Sequence, residues 1–299
     1  MKLPGLKRTP KVLRNDAAPG VAPEAVAAAQ GIRGDFPASI MLFGVMPRAG
    51  TVHVGELLSL HPDVGAHPNK LWELPFLENT DTLLEFQEGF FGGYHQNTER
   101  MGDSDFLALF GASFVHYLYS FVEPGQTVLV KETSMRSFER FPMVFPQEQL
   151  LLLMRDGRDL VSSSIRTWPS MNFSELCTRW SDSTHTMLDF VEAHPQPNYW
   201  LVHFETILDA PDAFVREACE RYGLDPERYP FEEQGNIEVI GSSTMSDAGK
   251  VDWDKHVAAP KGFKPTGHWM KWSAGQKRDF KKIAGDALIR AGYADNLDW

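Results

Sequence analysis

Two segments of this chain carry residue types suited to gripping anions, and each stands where a buried strand would hand over to a helix. The first is Gly44-Val45-Met46-Pro47-Arg48-Ala49-Gly50-Thr51. Gly50 lets backbone approach a ligand closely. Arg48 supplies a fixed cation and Thr51 a hydroxyl, and a following helix would present free N–H groups at the positive end of its dipole. That combination suits a phosphate. It is not a Walker A loop, whose pattern needs a lysine after the last glycine; here Thr51 follows Gly50 directly. The second segment is Met154-Arg155-Asp156-Gly157-Arg158-Asp159-Leu160-Val161-Ser162-Ser163. Arg155 would sit at the carboxyl end of a strand, where open α/β sheets bind ligands. Ser163 would follow about two helical turns later, so the pair can grip a second phosphate from two directions. Taken alone, Arg155, Arg158 and Asp159 also allow a local salt-bridge network.

The elements that must position these loops are legible as apolar runs. Residues 39–45 (SIMLFGV), 127–131 (TVLVK), 149–154 (QLLLLM) and 199–204 (YWLVHF) are continuous rather than alternating, which suits strands covered on both faces of a parallel sheet. Helical patterns follow at 52–60, stopped by His61-Pro62, and at 160–167, 173–193 and 210–222, the last ending at Gly223 as a left-handed cap. Ser273 and Gln276 can form a capping box ahead of a stripe of Phe280, Ile283, Ala284, Ala287, Leu288 and Ala291. Strands alternating with helices predict an α/β three-layer sandwich around a central, mainly parallel sheet. Residues 72–121 interrupt the alternation and are the expected place for a second ligand's pocket, with Phe90, Phe91, Tyr94, Tyr117 and Tyr119 as possible lining.

The chain has 299 residues, 42% apolar and 23% charged, with a formal net charge of -11. That is an ordinary globular composition and excludes a general nucleic-acid binder, which would show a basic face. Local basic loops can still hold a small anion. Cys177 and Cys219 have no spacing that suggests a metal site or disulfide framework, and no run approaches the ~20 apolar residues of a membrane span. No metal ligands and a cytoplasmic location are the expectations. Residues 1–38, rich in Pro, Ala and Gly, read as an arm or solvated tail, leaving 39–299 as a single domain.

Together the two loops resemble those of the sulfotransferases that use 3′-phosphoadenosine-5′-phosphosulfate (PAPS). Pro47-Arg48-Ala49-Gly50-Thr51 is similar to the family's 5′-phosphosulfate loop, P-R-S-G-T-T, and 153–163 to its 3′-phosphate motif, R-D-P-R-D followed by a serine. Leu71-Trp72-Glu73-Leu74-Pro75-Phe76 resembles the K-E-x-x-F segment, and Val202-His203-Phe204-Glu205 the V-x-Y-E-D-L block. Residues 261–269, with Gly267-His268-Trp269, look like the carboxyl-terminal lid, so the resemblance spans roughly 38–294. It implies a P-loop-like sulfotransferase fold and transfer of a sulfuryl group from PAPS to a hydroxyl or amine of a small molecule. The product nucleotide would be 3′-phosphoadenosine-5′-phosphate (PAP). Carried onto this chain, the nucleotide contacts are Arg48, Ala49, Gly50, Thr51, Val52, His53, Arg155, Ser163 and one of Lys261 or Lys264. Three departures stand out. Val52 replaces a Thr or Ser, Gly157 replaces proline and should leave its loop softer, and the lid lacks a clean R-K-G triplet.

An acceptor hydroxyl also needs a base. Lys131-Glu132-Thr133 falls where the family carries a histidine or glutamate base, so Glu132 is the candidate, with Lys131 beside it and His53 and Glu73 in reserve. Arg48 is the candidate for stabilising the leaving phosphate oxygen. Two rival readings are a P-loop kinase or NTPase, which lacks a Walker lysine here, and a nucleotide-binding module without chemistry.

Overall fold

The computed structural model describes residues 20–66, 73–92, 101–237 and 264–299, with the side chains of 90–92 left aside. Lys261, Leu71, Trp72, Tyr94 and the side chains of Phe90 and Phe91, named above, lie outside the described residues.

Among the described residues five strands form one sheet: β1 (Ile40–Gly44), β2 (Val64–Ala66), β3 (Thr127–Glu132), β4 (Gln149–Met154) and β5 (Tyr199–His203). Their order is β2-β3-β1-β4-β5, and every pairing among them is parallel. The central strands β1, β3 and β4 are buried almost throughout, as their unbroken apolar runs require. At the edge, β5 is only half buried, and β2 is a strand that sequence patterning missed. Its three residues, Val64-Gly65-Ala66, are too short for a period to register.

The helices are α1 (Pro23–Arg33), α2 (Thr51–Ser59), α3 (Thr80–Gly92), α4 (Asp105–Tyr119), α5 (Phe141–Val144), α6 (Gly157–Thr167), α7 (Phe173–Ala193), α8 (Phe204–Asp209), α9 (Pro211–Tyr222) and α10 (Ala274–Arg290). The β1-to-β2 crossover runs toward one edge of the sheet and the β4-to-β5 crossover toward the other. Right-handed connections therefore put α2 on one face and α6 with α7 on the opposite face. Gly223 caps α9 at φ 67°. Ser273 and Gln276 form the capping box of α10, whose Phe280, Ala284, Ala287 and Leu288 are fully buried where the helix packs on α7.

The described part of the expected tail is not solvated. Pro at the start of α1 pre-sets its first turn, and Ala25 and Ala29 bury against Ala108 and Ala112 of α4. At its end Arg33 meets Glu148 at 2.6 Å, both buried. Arg33 also donates to the carbonyls of Phe36 and Pro37. Glu148 in turn accepts from the Ser39 amide and hydroxyl. This knot sits at the amino ends of β1 and β4, and composition could not reveal it because its partners are far apart in sequence.

Candidate active site

Strand order reverses direction around β1 and β4, and the crevice beyond their carboxyl ends is where doubly wound sheets bind ligands. Both anion loops leave from that edge. The first is tied down at its start by the Val45 amide, which donates to the Leu153 carbonyl. Its backbone then turns through two left-handed residues, Arg48 at φ 76° and Gly50 at φ 104°. A side chain at Gly50 would also strike the Phe204 ring, 2.4 Å from an ideal Cβ. Only glycine fits there, and it delivers the chain into α2 with no side-chain cap. By helix geometry the first amides of α2, at Thr51, Val52 and His53, have no partner within the helix and face the crevice end of the sheet. Ala49 and Thr51 are buried.

The second loop holds the first. Arg155, at the end of β4, donates from Nη1 to the Arg48 carbonyl (2.5 Å) and from Nη2 to the Pro265 carbonyl (2.6 Å). Its guanidinium lies 5.0 Å from the Phe204 ring, while its buried Nε has no partner. Burial lowers its pKa, opposed by Glu205, Asp159 and Asp156. Across the crevice the Arg48 Nε donates to the Ser163 Oγ at 3.3 Å, so the side chains expected to grip two phosphates are themselves in contact. Burial, then the Arg155 and Arg166 charges, push Arg48 down to about 10, which leaves it cationic at neutral pH.

The ion pair within the second loop joins Arg158 to Asp156 (2.7 Å), not Arg155 to Asp159. Asp156 also caps α6, and its amide donates to Glu205, whose other oxygen accepts from the Tyr293 hydroxyl. Glu205 and Phe204 therefore brace the site from behind. Sequence reasoning noted them only as part of a family block.

One strand over, Glu132 ends β3 opposite Phe43 of β1. Its Oε1 accepts from the Thr133 amide (2.6 Å) and the Ser134 amide (3.0 Å), while Oε2 is buried and unpaired. Burial pushes this carboxyl up to about 7, helped by Glu73 and Glu78 and opposed by the two amides. Lys131 is buried and meets Glu73 at 3.3 Å. His53, by contrast, packs edge-on toward Phe204, and burial lowers its pKa. Lys264 is exposed, and its carbonyl accepts from the His268 ring. Tyr117 and Tyr119 do not line the crevice. Tyr119 donates to the Pro37 carbonyl at the opposite end of the sheet, and Tyr117 packs on Phe121 with half its surface exposed.

The sequence model of the sulfotransferase family matches residues 40–228, more than half of the chain and both loops. The chain belongs to the sulfotransferase family. No curated protein matches it by sequence. Among solved structures, this sulfotransferase is similar to a mouse sulfotransferase complexed with PAP, with a TM-score of 0.53 at 14% identity over 93% of this chain and 94% of that one. It is also similar to the sulfotransferase domain of the Synechococcus olefin synthase, with a TM-score of 0.51 at 17% identity over 85% and 96% of the respective chains. At these identities the likeness speaks to the fold, an α/β architecture around a parallel sheet.

The departure at Gly157 has a physical reason in this sulfotransferase, and it is not softness. Gly157 opens α6 directly beneath Trp180, where an added Cβ would lie 2.3 Å from the indole. Trp180 is fully buried, and its Nε1 donates to the Arg155 carbonyl. The glycine is the space the tryptophan occupies. Gly157→Ala is expected to cost about 1–3 kcal/mol through overpacking, read as a lower midpoint in urea unfolding. An unchanged midpoint would show that the indole yields freely. Among the described residues no three His, Cys, Asp or Glu side chains are grouped as a metal site would need, and no helix is long and apolar enough to cross a membrane.

Proposed function

We propose that this sulfotransferase uses PAPS as its donor and a small molecule with a hydroxyl or amine as its acceptor. The observation that carries the reading is the convergence of two anion loops at the β1–β4 crevice, with Arg48 reaching Ser163 and Glu132 one strand away. The residues present fit the donor. Three unpartnered amides at the start of α2 suit the 5′-phosphosulfate. The Arg155 Nε edge with the Ser163 hydroxyl suits the 3′-phosphate, and Lys264 is the described lysine that would complete that side. When bound, PAPS supplies an activated sulfuryl group whose leaving group is a phosphate oxygen.

In this reading Glu132 Oε2 takes the acceptor's proton as the acceptor oxygen or nitrogen bonds to sulfur. Arg48, Thr51 and the α2 amides stabilise the charge left on the departing phosphate oxygen as its bond to sulfur breaks. Lys131 lends positive charge beside the base, and His53, held neutral by burial, has a packing role against Phe204. The reading includes a cytoplasmic setting, which two buried free thiols support.

PAP is expected to raise the melting temperature by binding only the folded state, which stabilises it by about 2.7 kcal/mol at a hundredfold excess over Kd. Adenosine 5′-phosphate, which lacks the 3′ group, should shift it much less. Equal shifts would remove Arg155 and Ser163 from a 3′-phosphate site. Mass spectrometry of products formed from PAPS and mixed acceptors tests the chemistry itself. Nucleotide binding without any sulfated product would leave a binding module in place of an enzyme.

A further inference from the structure

Residues 264–272 lie beyond the stretch matched by the family model and have only the short turn His268–Lys271 of their own. They are nonetheless held on three sides by the second anion loop. Asp159, in the first turn of α6, is 3% exposed, and neither carboxylate oxygen caps its own helix. Oδ2 accepts the Gly267 amide at 2.8 Å and Oδ1 the His268 amide at 2.7 Å. Arg155 holds the Pro265 carbonyl. Arg158 lies 4.2 Å from the Trp269 ring and 4.7 Å from the Trp299 ring. A buried carboxylate is costly unless its hydrogen bonds are made, and both oxygens of this one go to another segment's backbone.

We infer that Asp159 is a positioning residue: it fastens residues 264–269 over the second anion loop, so that the Pro265 carbonyl fixes the plane of Arg155 for the nucleotide. The inference rests on the reading of that loop as a nucleotide site. Arg155 has two of its nitrogens committed to carbonyls of two different segments. Removing the Asp159 contacts frees the segment that carries one of them, and Arg155 then loses a fixed orientation. Arg155 meets Arg48 at its backbone carbonyl rather than its guanidinium, and Glu132 stands at the end of β3, so donor affinity should suffer more than the chemical step. In steady state that is a raised KM with a smaller change in kcat.

The test uses Asp159→Asn and Asp159→Ala in the full chain, with two readouts. Hydrogen exchange without nucleotide should show slow Gly267 and His268 amides in the wild type and faster exchange in both variants, confined to 264–272. Calorimetry with PAP should show Kd raised about tenfold or more, as expected for the loss of charge-assisted hydrogen bonds, with KM for PAPS raised in parallel and kcat lowered by a smaller factor. Fast exchange at 264–272 with unchanged PAP affinity would overturn the inference, because the fastening would then be structural only. Exchange that spreads through α6 and β4 would overturn it too, because Asp159 would then be a general stability residue. If the wild type itself fails to bind PAP, the nucleotide reading falls and takes the inference with it, an outcome the wild-type titration separates from the others.

Discussion

Glu132→Gln is expected to lower turnover by about 10²–10⁴-fold, the usual worth of a positioned general base, with PAP affinity nearly unchanged. Glutamine keeps the shape and can still accept from the Thr133 and Ser134 amides that hold Oε1. What it cannot do is take a proton at the position of the unpaired Oε2. The carboxyl is raised to about 7 by burial and by Glu73 and Glu78, and a base must be ionised to act, so wild-type activity should climb through about pH 7 and level off above it. That inflection should vanish in the variant. Stability runs the other way. A carboxyl whose folded pKa lies above its unfolded value binds protons better when folded, so its contribution is full below the unfolded value near 4.5 and lost as pH rises through about 7. Glu132→Gln should therefore melt higher than wild type at pH 8, with the difference shrinking toward pH 5. An acidic phenol acceptor, already partly ionised, should suffer less than an aliphatic alcohol. Near-wild-type turnover on an alcohol would remove Glu132 from the mechanism.

Arg48→Ala is expected to reduce turnover by about 10²–10³-fold, the range for losing one group aimed at developing transition-state charge. Nucleotide affinity should fall much less, because charge on the leaving oxygen grows only as its bond to sulfur breaks. The guanidinium is placed by an unusual backbone, φ 76°, by Arg155 holding its carbonyl, and by its own bond to Ser163. It is also largely removed from water, where a charge acts more strongly than at the surface. Single-turnover rates at saturating PAPS, paired with calorimetry for PAP, separate the two effects. A variant that loses affinity and keeps its rate would assign Arg48 to binding alone.

What could be read in advance follows from how locally each feature is encoded. The run 149–154 and the pattern 173–193 match β4 and α7 at both ends, because continuous burial and a clean amphipathic period are properties of the segment itself. The two loops were legible as strand-to-helix turns for the same reason, as was the place of Lys131 and Glu132 at the end of a strand. The contacts that give those residues their character were not. Nothing near Gly157 points to Trp180, and nothing near Arg33 points to Glu148. Tyr119 belonged to an aromatic stretch, yet its hydroxyl reaches Pro37 at the wrong end of the sheet for an acceptor pocket. An alanine-rich face with few large side chains made α1 look like a tail, although small residues are what let it approach α4 closely. Long-range complementarity decided each of these.

The parallel order β2-β3-β1-β4-β5 has a consequence for how the chain reaches its working form. β1 lies early in the sequence, yet both of its neighbours, β3 and β4, come after residue 126. During synthesis β1 therefore has no strand to pair with until much of the chain has emerged, and closing so long a loop delays the reward of contact. Until β4 arrives, the Val45 amide lacks the Leu153 carbonyl, and the first anion loop has neither Arg155 nor Ser163 to shape it. The apolar strand Ile40–Gly44 must be kept from other chains through that interval. Binding competence arises late, in the same event that completes the centre of the sheet.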